Sequence, residues 1–158
     1  MSAILETQFV WPDEAAAQVT AERLAAVLLP SPDAVIELHG PLGAGKTTFV
    51  RLLLRALGVE GRIKSPSYAV MEVYDLPAAS GGGVASHFDF YRFGDPREWE
   101  DAGFRDVFAA PGLKLCEWPE KAAGQLPVPD LQLFIELMPD DIRSVRVVGA
   151  PTLAGALA

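Results

Sequence analysis

Residues 35–58 read VIELHGPLGAGKTTFVRLLLRALG, and this stretch decides the fold. Val35 to His39 is a short, mostly apolar run with the character of a strand. Gly40-Pro41-Leu42-Gly43-Ala44-Gly45-Lys46-Thr47 then matches G-x-x-x-x-G-K-[ST]. From Lys46 onward Phe49, Val50, Leu52, Leu53, Leu54 and Leu57 continue to Gly58, a glycine stop for a helix. A phosphate chain carries several charges and needs many donors close to its oxygens, and backbone N–H groups approach that closely only where side chains are absent. Gly40, Gly43 and Gly45 leave that room. The helix that follows points its N-terminal N–H groups and positive dipole end at the same place. Strand, glycine loop and helix in that order predict a phosphate-binding loop, with Lys46 on the outer phosphates and the Thr47 hydroxyl on Mg²⁺. The plain alternative, a glycine turn beside a surface lysine, does not account for the two apolar flanks.

Working outward, residues 4–10 (ILETQFV) partly alternate and suit a strand, and Pro12-Asp13-Glu14 is a helix start for the Ala-rich segment to Leu29. Pro30-Ser31-Pro32 ends that helix. Residues 58–67 read as a connecting loop, 68–74 (YAVMEVY) as a strand, and Gly81-Gly82-Gly83 as a turn. Val84 to Tyr91 has the period of a strand, with His87 and Asp89 on one face and Phe88 and Phe90 on the other. Residues 96–108 suit a helix; Leu113–Trp118, Leu131–Leu137 and Val145–Val148 suit three more strands. The expected architecture is α/β: a P-loop NTPase-like three-layer sandwich around a central mixed sheet, with residues 1–149 as one domain. Residues 150–158, small and uncharged, form a tail to which the sequence assigns no role.

The 158 residues are half hydrophobic, enough for one domain with a core and too few for two ordinary ones. A formal charge of -8 argues against broad binding to a nucleic-acid backbone. Cys116 is the sole cysteine, so no internal disulfide can form. The N-terminus shows no basic leader ahead of an apolar stretch, and no apolar run approaches the roughly 20 residues that span a bilayer. A cytoplasmic location is the expectation.

Hydrolysis of a bound triphosphate also needs an acidic group for the metal and a group to hold the attacking water. Asp75, Asp89 and Glu117 each close an apolar run. Any of the three could face the phosphates, and each could equally be a solvated strand end. His87 shares the expected face of Asp89, although a lone histidine on a strand more often packs. Between Lys46 and Lys64 lie five basic residues and one acid, Glu60, so the charge is polarised. Arg51 and Arg55, four apart on one helix face, offer a docking surface for an acidic partner or RNA, or an ordinary solvated face.

Taken together, GPLGAGKTT at 40–48, KSPSY at 64–68, HFDFYR at 87–92, DPREWEDAGFRD at 95–106 and CEWPE at 116–120 resemble the TsaE (YjeE) family of bacterial ATPases. The resemblance runs in order from Pro12 to about Val148, and HFDFYR and EWPE are more specific than the glycine loop alone. It implies an ATP- and Mg²⁺-dependent ATPase needed for the threonylcarbamoyl modification of adenosine next to the anticodon of tRNAs, working with TsaD and TsaB. By resemblance, Pro41, Leu42, Gly43, Ala44, Gly45, Lys46, Thr47 and Thr48 would cradle the nucleotide, and Thr47, Asp89 and Glu117 would hold the metal. Lys46, Asp89 and Glu117 would carry catalysis. Trp118, Arg143 and Glu14, in Pro12-Asp13-Glu14, match residues near the nucleotide. Two positions depart from the family pattern: Pro41 stands where Asp is common, and Ser67 where Thr is common. Pro41 removes one backbone donor at a variable position, whereas Ser67 keeps a hydroxyl. The competing reading is a small-molecule kinase that passes the γ-phosphoryl group to a bound acceptor, with Arg92, Arg97 and Arg105 as its candidate lid.

Overall fold

The computed structural model describes residues 3–30, 32–64, 70–92 and 103–158. Its strands are β1 (Leu5–Trp11), β2 (Ala34–His39), β3 (Met71–Asp75), β4 (Val84–Asp89), β5 (Leu113–Glu117), β6 (Leu131–Leu137) and β7 (Arg143–Gly149). The helices are α1 (Glu14–Leu28), α2 (Lys46–Ala56), α3 (Phe104–Ala109) and α4 (Pro151–Ala154). The seven strands form one mixed sheet in the order β1-β7-β6-β2-β5-β4-β3. β2 runs parallel to both β5 and β6, and β4 parallel to β5, while β1, β7 and β3 pair antiparallel. This is the α/β, P-loop NTPase-like architecture expected from the sequence.

β2 is central, and Ala34 to Leu38 are all buried, as a strand covered on both faces requires. Asp13 caps α1 by accepting from the Ala16 N–H at 2.9 Å. Ala17, Ala21, Leu24, Ala25 and Leu28 repeat at helical spacing and form the stripe that α1 buries. α2 buries Phe49, Val50, Leu53 and Leu54 beside it. Trp11 links β1 to both helices: its indole N–H donates to the Thr20 hydroxyl at 3.0 Å, and its ring stacks on Phe49. Across the sheet, Phe88, Phe90, Cys116, Phe104 and Ala122 make a second, smaller core. The period-two reading of β4 therefore holds, with Phe88 and Phe90 together on that side.

Three expectations come out differently or fall elsewhere. The helix expected over 96–108 is seen from Phe104 to Ala109, and residues 93–102 lie outside the described residues. The strand expected at 68–74 runs from Met71 to Asp75, and the KSPSY segment beyond Lys64 is likewise outside them. Finally, α4 and the short turn after it return onto α1 and β1, placing Ala154 and Leu157 in the main core. Small uncharged residues, uninformative in sequence, here close one end of the helix layer.

Candidate active site

The loop from Gly40 to Gly45 joins the carboxyl end of β2 to the start of α2. A Cβ at Gly40 would lie 2.6 Å from the Ile135 carbonyl oxygen, so the backbone passes too close to β6 for any side chain. Gly45 sits at φ 104°, a left-handed conformation from which α2 begins. Lys46 is only 5% exposed. Its ammonium donates to the Gly40 carbonyl and, at 3.5 Å, to that of Pro41, and it lies 3.7 Å from the centre of the Trp118 ring. Burial pushes the Lys46 pKa down, while Glu117, Glu120 and Asp89 pull it up. Arg143 braces the loop from β7, donating through Nε to the Ala44 carbonyl at 3.2 Å and through Nη2 to that of Gly43 at 3.4 Å.

Because β4 and β5 are parallel, Asp89 and Glu117 stand opposite one another at the carboxyl ends of neighbouring strands. Glu117, 2% exposed, accepts the Thr47 hydroxyl at 2.8 Å on Oε1 and 3.0 Å on Oε2. Its Oε2 also lies 2.5 Å from His87 Nε2. Asp89 accepts the Tyr91 backbone N–H at 3.0 Å. Asp75, the third carboxylate left open by the sequence, pairs with Val84 at the opposite end of β4 and stands away from the loop. Trp118 has φ 55°, an uncommon backbone for a bulky residue. That turn carries its ring beneath Lys46, with Tyr91 at 4.9 Å on centroids.

Burial is the main cause pushing the Asp89 pKa up; Glu117 adds to it, and the Tyr91 N–H, His87 and Lys46 oppose it. The folded chain thus binds this proton more tightly than the unfolded chain. Stability falls as pH rises from the unfolded carboxylate range through the folded pKa, and the penalty persists above it. Asp89→Asn is accordingly expected to raise Tm by roughly 1–3 °C at pH 8 and to lose that gain below about pH 4, where both states are protonated. A lower Tm at pH 8 in a thermal melt would show that the charge stabilises the fold instead.

Two hollows meet at the loop. One, of about 300 Å³, is lined by residues 42–48 together with Asp89, Tyr91, Glu117, Trp118 and Arg143. The other, of about 250 Å³, lies on the α1 side between Trp11, Asp13, Glu14, Thr48 and Arg143. Leu42, Gly43, Ala44, Gly45, Lys46, Thr47, Thr48, Asp89, Glu117, Trp118, Arg143 and Glu14 all line one or the other. Pro41 lines neither; its carbonyl instead accepts the Ala44 N–H at 3.1 Å, which closes the turn of the loop. Among the described residues no three His, Cys, Asp or Glu side chains converge on a metal cage. One hydroxyl and two carboxylates, all hard oxygen donors, suit a Mg²⁺ ion that keeps waters and phosphate oxygens as its other ligands.

The family described as "Threonylcarbamoyl adenosine biosynthesis protein TsaE" matches residues 11–145. The chain belongs to the TsaE family. A relative from Haemophilus influenzae, named tRNA threonylcarbamoyladenosine biosynthesis protein TsaE, is 37% identical over 93% of this chain and 91% of its own length. A TsaE protein of the same description from Bacillus subtilis is 36% identical over 72% of this chain and 68% of its own. A crystal structure described as Bacillus subtilis YdiB superimposes with a TM-score of 0.70 at 28% identity, covering 99% of this chain and 93% of that one.

Within this TsaE-family site, sequence reasoning missed the hydrogen bond from His87 to Glu117, because nothing local says which strand lies beside β4. Tyr91 was legible only as part of HFDFYR. The basic face changes character: Arg55 donates to the Val59 carbonyl at 2.9 Å and to that of Gly61, fastening the loop after α2. Its guanidinium is thus occupied within the chain. Of the candidate lid arginines, Arg97 lies outside the described residues. Among the described residues no helix is long and apolar enough to cross a membrane.

Proposed function

We propose that the chain is a Mg²⁺-dependent ATPase subunit that supports threonylcarbamoyl modification of adenosine next to the anticodon of tRNAs, acting with TsaD and TsaB. The observation that carries this reading is the meeting of Thr47, Asp89 and Glu117 beside a glycine loop whose lysine faces the same hollow. Backbone N–H groups of residues 43–48 would donate to phosphate oxygens, and Lys46 would exchange its carbonyl partners for the β and γ phosphates. The hollow between Trp11 and Glu14 would take the nucleoside end, on the N-terminal side. Water would attack the γ-phosphorus in line, and the bond to the β–γ bridging oxygen would break to release ADP and phosphate. Glu117 or Asp89 would orient that water and receive its proton. Thr47, Asp89 and Glu117 would hold Mg²⁺, which when bound supplies charge neutralisation at the phosphates. In the same reading residues 1–149 are one cytoplasmic domain, with 150–158 folded onto it.

The test is ATP hydrolysis by the purified chain alone and then with TsaB and TsaD. Turnover that rises on adding both partners is the expected result. If the partners neither bind nor change the rate, the family-level role fails for this chain, and transfer to a small-molecule acceptor becomes the reading to test.

A further inference from the structure

His87 is a buried ionisable side chain to which the proposed reaction gives no task. It is 1% exposed, on the face of β4 that turns toward α1 and α2, beside Leu115 of β5. Glu117 lies two residues further along β5, a diagonal neighbour that long side chains reach. His87 Nε2 approaches Glu117 Oε2 to 2.5 Å. The other ring nitrogen, Nδ1, is buried and has no hydrogen-bond partner among the described residues.

These contacts assign the ring proton. A carboxylate that accepts the Thr47 hydroxyl on both oxygens is an acceptor, so a hydrogen must lie on Nε2 for the 2.5 Å contact to be attractive. The reverse tautomer would set a nitrogen lone pair against a carboxylate oxygen. It would also bury an N–H at Nδ1 with nothing among the described residues to receive it. Of the two single-hydrogen tautomers, Nε2–H leaves only a bare acceptor there.

We propose that His87 is a positioning residue: its Nε2–H holds the Glu117 carboxylate in place independently of Thr47. This rests on the ATPase reading above. Glu117 has two side-chain donors among the described residues, Thr47 and His87. In that reading the Thr47 hydroxyl is needed by the metal, and His87 then remains to keep Glu117 from swinging away from the γ-phosphate. Its place on a rigid strand, packed on all sides, is what such a support needs, since small errors in carboxylate placement cost orders of magnitude in rate. A side chain that only filled space would not require a donor at this position.

The test compares His87→Leu, which keeps bulk and removes the donor, with His87→Gln, which returns an N–H near the place of Nε2. His87→Leu is expected to lower kcat for ATP by about 30-fold or more while KM stays within about 3-fold, and His87→Gln to recover to within about 5-fold of the parent. A leucine variant with unchanged kcat overturns the proposal. So does equal impairment of the two variants with KM rising alongside, the pattern of a merely structural role. The ring nitrogens can also be read by ¹⁵N NMR without nucleotide, because the chain has only two histidines and the His87 signals are those lost in His87→Gln. An Nε2–H tautomer in the free protein supports the proposal, and an Nδ1–H tautomer overturns it. A parent chain that shows the Nε2–H signal but no ATP turnover, alone or with its partners, counts against the ATPase reading rather than against the hydrogen bond.

Discussion

The Lys46→Ala variant is expected to hydrolyse ATP at least about a thousandfold more slowly than the parent chain, alone or with TsaB and TsaD, and to bind nucleotide weakly. Lys46 is the one side-chain cation that the loop itself carries into the 300 Å³ hollow. Two backbone carbonyls and an aromatic face stand in for an anion. Burial holds its pKa below the ordinary lysine value, so at neutral pH the charged form is favoured less in the folded chain than in the unfolded one. Removing the charge should therefore leave Tm within about 3 °C of the parent, which separates loss of chemistry from loss of fold. A triphosphate would oppose the effect of burial by adding counter-charge beside Lys46 to that of Glu117, Glu120 and Asp89. Nucleotide titration by calorimetry together with a phosphate-release assay checks both halves. Undiminished hydrolysis would sink the phosphate-loop assignment.

Glu117→Gln should separate binding from turnover. The amide keeps the shape of the side chain and an oxygen for the Thr47 hydroxyl, but it loses the charge and offers His87 no second carboxylate oxygen. A fall in kcat of about 10²- to 10³-fold with ATP affinity within about 3-fold is expected if Glu117 orients the attacking water. Single-turnover hydrolysis with nucleotide bound in advance measures this directly. Equal loss of affinity and rate would instead make Glu117 a metal ligand alone, and Asp89 would become the group that holds the water.

How much of this could be read without a structure differs from residue to residue. The glycine loop was legible because its chemistry is local. The donors that would meet phosphate are backbone N–H groups within eight residues, and Gly40 and Gly45 are required by a close approach to β6 and by a positive φ. The period of β4, the N-cap at Asp13 and the apolar stripe of α1 were legible for the same reason, since each expresses the geometry of one element. Motif resemblance preferred Asp89 and Glu117 over Asp75, but composition and spacing could not.

Sequence by itself thus determined an α/β chain with a phosphate-type loop after an apolar strand, and the set of acids from which a site could be built. Tertiary structure decided the rest. Parallel pairing of β4 with β5 brought Asp89 level with Glu117, while antiparallel pairing of β3 sent Asp75 to the other end of the sheet. The same parallel pairing put His87 on Glu117, and the return of the C-terminal turn onto α1 and β1 buried Leu157. Those outcomes depend on which distant segments share hydrogen bonds and exclude water together, and strand neighbours are chosen by the burial of the whole sheet rather than by any one strand.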